Sequence, residues 1–168
     1  MIAVPVVAVL LLTGIALLID PYWHPSRAVA TSYMAARDTL DFIRQWTSWM
    51  ASIQTAALGG LAYLAKDSTL TTSQALSAAT TVACLGAALF AAAWTLSALP
   101  IVRMNLEEDV ITTENDVYEH NLYSFVPVRL GTVLLLQHTF WVIGIISFAL
   151  FCYFSFFEKI VTCEGVMV

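Results

Sequence analysis

Charge is what this chain has least of. Asp, Glu, Lys and Arg make up 11% of its 168 residues, against 60% hydrophobic residues. Soluble domains carry about 25% charged residues, so the chain lacks the polar surface that a water-facing globule of this size needs. Positive charge is scarcer still: seven Lys and Arg against twelve Asp and Glu leave a formal charge of -5. Nucleic-acid binding needs clustered cations, and these seven are dispersed, so no nucleic-acid partner is expected. Cysteine is also scarce. Cys84, Cys152 and Cys163 are odd in number and show no CxxC spacing. Cys84 and Cys152 fall in apolar runs, where Cys serves as a small packing residue. There is no glycine-rich phosphate loop, and Ser, Cys and His are not disposed as a nucleophile and its base. The expectation is a protein that is not an enzyme.

Long apolar runs are what the chain has instead, with a mean hydropathy of +0.80. From Leu130 to Phe157 there is no formal charge, and the only strongly polar side chains are Gln137 and His138. At about 1.5 Å per residue this run exceeds the roughly 30 Å of bilayer hydrocarbon. Three more runs accompany it, so the sequence predicts an all-α, single-domain membrane bundle of four spans over about 3–19, 46–65, 78–101 and 130–157. The first has no Lys or Arg ahead of it and no A-x-A-like site after it, so it reads as a retained helix rather than a signal peptide. It stops at Asp20-Pro21. Tyr22, Trp23 and His24 follow where amphipathic rings favour the interface, and Ser26 is a candidate N-cap.

Residues 27–46 differ in kind. Val29, Tyr33, Ala36, Leu40, Ile43 and Trp46 alternate at three and four, which predicts an amphipathic cytoplasmic helix before the second span. No Pro or Gly separates the two, so one long helix is expected. The third span holds nine alanines between 78 and 98, the composition of a central helix packed on several sides. Pro100 is a candidate kink or stop. Residues 103–129 form an acidic connection, where Thr113 and Asp116 approximate a capping box and predict a short helix over about 114–124.

Arg27, Arg37, Arg44, Arg103 and Arg129 lie in the two larger connections, against Lys66 and Lys159 on the other side. By the positive-inside rule both connections are cytoplasmic and both termini outside.

Three constellations stand out. The row Ser48, Ser52, Ala56, Gly60 and the alanines Ala83, Ala87 and Ala91 are expected as close helix-packing surface, together with Gly131 on the His138 face of the fourth span. Thr13, Gln54, Thr95, Gln137 and His138 all lie seven or eight residues from the cytoplasmic end of their spans, about 11 Å deep, and are expected to meet in one polar layer. His138 is also the candidate axial ligand of a haem or chlorophyll-type cofactor, although no second ligand is visible and no cofactor is otherwise implied. Asp116, Glu119 and His120 share a helical face but lack the paired Glu-x-x-His motifs of a bundle metal site, so no metal is expected.

The pattern Trp49-x4-Gln54-x4-Gly59, with Leu136-Gln137-His138-x-Phe140-x3-Gly144, resembles small uncharacterised bacterial inner-membrane proteins of three or four helices. The resemblance covers residues 42–157. It implies a prokaryotic plasma membrane and no particular activity. The reading that follows is a non-enzymatic membrane protein in the lipid bilayer, acting by helix association with other membrane subunits or with itself. A cofactor-binding subunit of an electron- or energy-transfer complex is the first alternative. A small pore ranks last, because no single span carries a polar stripe.

Overall fold

The computed structural model describes residues 3–19, 33–66, 69–109, 121–123 and 126–164. Within them run α1 (Ala3–Ile19), α2 (Tyr33–Ala65), α3 (Thr72–Asp109), the strands β1 (Asn121–Tyr123) and β2 (Val126–Arg129), and α4 (Leu130–Glu164). The expectations at Tyr22, Trp23, His24, Ser26, Asp116, Glu119 and His120 lie outside the described residues.

Helix α3 is the centre of the bundle. It packs against α1, α2, α4 and β1, as its alanine-rich composition suggests. Among the described residues, two helices, α3 over Thr72–Met104 and α4 over Leu130–Phe156, are long and apolar enough to cross a membrane. The apolar stretch of α1 that is described, Val7–Ala16, is shorter. Helix α2 is one unbroken helix of 33 residues, as the absence of Pro and Gly before Gly59 predicts. Arg37, Asp38, Asp41 and Arg44 early in it, and Ser48, Ser52, Gln54 and Thr55 later, dilute its apolar run.

The packing follows a single rhythm. Buried positions on α2 are Ala36, Leu40, Ile43, Thr47, Met50, Gln54, Ala57 and Leu61; on α4 they include Leu130, Val133, Gln137, Phe140, Gly144, Ser147 and Phe151. Spacings of three and four alternate without a break. On α3 the same alternation runs Gln74, Ser77, Thr81, Cys84, Ala88, Ala91, Thr95, Ala98 and Val102, with Leu85, Ala92 and Leu99 as a second row. A repeat averaging 3.5 residues keeps one seam facing its neighbour and is the signature of left-handed, coiled-coil-like packing. The α3 seam is built of small side chains, which lets its neighbours approach closely.

The register follows from named contacts. Ala98, Leu99 and Val102 near the end of α3 cluster with Leu130, Val133 and Leu134 at the start of α4, and with Ala36, Leu40 and Ile43 at the start of α2. Farther along, Cys84 and Ala88 meet Phe140, with Val9 of α1 packed beside them. Helix α3 therefore runs antiparallel to α2 and α4, which run parallel to each other.

Four element boundaries differ from the sequence reading. Helix α3 starts at Thr72 rather than 78, because Gln74 Oε1 accepts the Thr71 backbone N–H at 2.9 Å, half of a Thr-x-x-Gln capping box. Its end moves too. Pro100 is exposed within the helix, facing away from the bundle, and neither ring nor freed carbonyl interrupts the packed seam. The helix expected over 114–124 is contradicted at its end, where residues 121–123 are strand; 114–120 lie outside the described residues. An antiparallel hairpin pairs Asn121 with Arg129 and Tyr123 with Val126. Pro127 cannot continue a helix but is tolerated in so short a two-stranded ribbon, where one edge needs no donor. Finally, α4 continues past Phe157 to Glu164, since no Pro or Gly stops it before Gly165.

Candidate functional site

Helix α4 presents two adjacent polar residues in different directions. Gln137 belongs to the buried seam and is fully enclosed, whereas His138, about 100° further round, is half-buried at the side of the bundle. The His138 ring is fixed from both ends. Its Nδ1 lies 2.7 Å from the Leu134 carbonyl one turn back, and the Trp46 indole N–H of α2 donates to its Nε2 at 2.9 Å. Because indole nitrogen only donates, Nε2 must be the acceptor and Nδ1 carries the proton. The two rings lie nearly parallel, at 11° with centroids 6.3 Å apart. Phe42 and Trp49 stack and tilt against Trp46 on either side, forming an exposed aromatic ladder along α2.

This geometry does not fit His138 as an axial ligand. A metal would need the lone pair of Nε2, which receives the Trp46 hydrogen bond, and the other nitrogen is spent on Leu134. Among the described residues, no three His, Cys, Asp or Glu come together in a group able to hold a metal ion.

The expected polar layer is corrected in part. Gln54, Thr95 and Gln137 are fully buried, one on each of α2, α3 and α4. They do not meet His138. Trp46 is level with His138, and Gln54 lies eight residues farther along the parallel helix α2, about 12 Å deeper. Thr13 on α1 donates to its own Val9 carbonyl at 2.8 Å rather than to another helix. Among the described residues, the amide atoms of Gln54 and Gln137 and the hydroxyl of Thr95 have no hydrogen-bond partner, and neither have the hydroxyl of Thr47 or the indole nitrogen of Trp141. Each such buried group costs about 1–3 kcal/mol when left unpaired. Native interiors contain few of them, so five such residues on three packed helices call for an explanation.

The small-residue rows divide between the inside and the outside of the bundle. Ser48, Ser52 and Ala56 are exposed and face away from the bundle; only Gly60 turns inward, where a Cβ built on it would lie 3.5 Å from Phe148 Cζ. Ala83 and Ala87 are half-buried beside the true seam, while Ala91 is buried in it. Gly131 is half-buried, next to the seam residue Leu130. A row of strict fourth residues rotates by about 40° per step and leaves the contact face, whereas alternating threes and fours remain on it.

Trp46, Thr47, Trp141 and Gly144 are the site residues that the sequence reading passed over. Thr47 was recoverable, because it continues the stripe Ala36, Leu40, Ile43. At Gly144 an added Cβ would overlap Leu85 Cδ2 and stand 2.7 Å from its Cγ and 3.2 Å from its backbone nitrogen, so α3 and α4 touch here almost backbone to backbone.

Comparison with protein-family models, curated proteins and solved structures finds no match for the chain.

Proposed function

We propose that the chain is a four-span inner-membrane protein that works by association, as a subunit of a larger membrane assembly or with copies of itself. The observation that carries this reading is the outward face of α2. Ser48, Ser52, Thr55, Ala56 and Gly59 are all exposed there. The hydroxyls of Ser52 and Thr55 donate to the carbonyls of Ser48 and Ala51, so their donors are spent within α2. Such a surface makes poor contact with acyl chains and close contact with another helix.

The membrane setting is supported by what surrounds that face. Val4, Val7, Leu10, Leu11, Ile15 and Leu18 of α1 are exposed, as are Val82 and Phe90 of α3 and Val142, Ile146 and Leu150 of α4. Soluble monomers rarely expose contiguous apolar surface on this scale. The resemblance to bacterial inner-membrane proteins and the arginine bias favour a prokaryotic plasma membrane, with both large connections inside and both termini outside.

The test is Ser52→Leu in the full-length protein, extracted in mild detergent and weighed by native mass spectrometry. A leucine on the association face should reduce the assembled fraction at least as far as the monomer, while Leu58→Ala leaves it unchanged. Equal assembly in both variants would mean that this face meets lipid.

A further inference from the structure

The five unpartnered residues share a location and a chemistry. Thr47 and Gln54 are on the seam of α2, Thr95 on that of α3, and Gln137 with Trp141 on α4. The register set by Trp46–His138 puts Gln137 level with Thr47, and Thr95 lies in the same region, between Ala91 and Ala98, which cluster with Val133 and Leu134. Gln54, seven residues beyond Thr47 and about 10 Å deeper, falls level with the turn that holds Gly144, and Trp141 lies between the two levels. Two polar layers are thus stacked inside the bundle, too far apart for the amides to pair directly.

No member of this set carries a charge. The two amides supply donors and acceptors, the hydroxyls supply both, and the indole supplies a donor. That inventory suits a neutral molecule that both gives and takes hydrogen bonds, rather than an ion of either sign. The neighbouring seam positions Ala88, Ala91 and Ala92 on α3 end at Cβ, whereas the space beside Gly144 is filled by Leu85. Ser77 and Thr81, farther along α3, do not belong to the set, because their hydroxyls bond backbone carbonyls of their own helix.

We propose that Thr47, Gln54, Thr95, Gln137 and Trp141 line an interior binding site for small neutral hydrogen-bonding molecules, with water as the first occupant. Buried waters typically make two to four hydrogen bonds to groups that are otherwise unsatisfied, and these atoms present that need in two adjoining layers. The inference is independent of the association face, which lies on the opposite side of α2.

Solid-state NMR of the full chain in liposomes, labelled with ¹⁵N at glutamine side chains, tests it. The four glutamines are Gln45, Gln54, Gln74 and Gln137. Gln54→Leu and Gln137→Leu assign the two signals, with Gln54→Asn and Gln137→Asn in reserve should the leucine variants not fold. Magnetisation should pass from water to both side-chain amides at a rate within about tenfold of that for exposed Gln45, as expected for exchangeable buried water. Transfer instead from protonated glycerol in deuterated buffer would identify a small neutral solute as the occupant. Amides that receive transfer from neither, or more slowly than that limit, would be dry, and the proposal would be wrong. Ser52→Leu should leave these signals unchanged, so failure of this inference is distinct from failure of the association reading.

Discussion

Gly144 has no room for a methyl group, because Leu85 of α3 occupies the space where its Cβ would stand. The overlapping atoms are Cδ2 and Cγ of Leu85, and its backbone nitrogen, 3.2 Å from the same point, limits how far α3 can give way. Gly144→Ala should therefore destabilise the bundle by about 1–3 kcal/mol, the usual cost of overpacking. Gly86→Ala, at a position with open space around it, is the control and should be neutral. Steric-trap unfolding in bicelles measures both. The Trp46–His138 hydrogen bond is the second residue-scale test. It joins α2 to α4 and fixes which nitrogen of the imidazole is protonated. A double-mutant cycle with Trp46→Phe and His138→Ala should give a coupling of about 0.6–1.7 kcal/mol, the range found for hydrogen bonds between membrane helices. Strict additivity would mean that the two rings stack without bonding.

Each helix owes its limits to a few residues. Thr71 and Gln74 start α3 by satisfying an orphan backbone donor, so Gln74→Ala should cost about 0.5–2 kcal/mol, the usual worth of a cap. Hydrogen exchange at the first turn of α3 should accelerate in that variant, while the amides around Leu85 stay protected. Pro100 behaves in the opposite sense: it leaves the helix intact and sits on the exposed side of α3, opposite the buried Ala98 and Val102. Composition announced the central place of α3. Strands β1 and β2 were not legible, because the acidic stretch with its cap-like Thr113 carries a local helix signal, whereas β1 is held by pairing with β2 and by packing on α3.

At the scale of the whole molecule, an antiparallel α3 held between parallel α2 and α4 places position 37 and position 70 near opposite ends of α2. Under the orientation proposed here, Arg37→Cys should be protected from a membrane-impermeant thiol reagent applied outside cells, and Leu70→Cys should react. Both are exposed in the fold, so protection reports the membrane and not burial. Labelling of position 37 from outside would reverse the topology. The buried amides belong to this scale too, because no single helix shows a polar stripe; the polar set forms only when three seams are brought together.

The sequence by itself determined the helical class, the long single helix α2, the two runs apolar enough to span a bilayer, and the burial of Gln54, Thr95 and Gln137. These follow from local quantities: hydrophobic run length, the absence of helix breakers, and the cost of a polar group in an apolar run. Only the tertiary structure decided which face of each helix turns inward. Gln137 and His138 are adjacent in the chain, and a rotation of about 100° separates a core residue from one at the side of the bundle. A helix that is apolar nearly all round gives no moment to choose between those rotations, so the choice falls to packing. Alternating threes and fours won over the strict fourths of Ser48, Ser52 and Ala56, because only the former keep small side chains and Gly144 in line along the full contact.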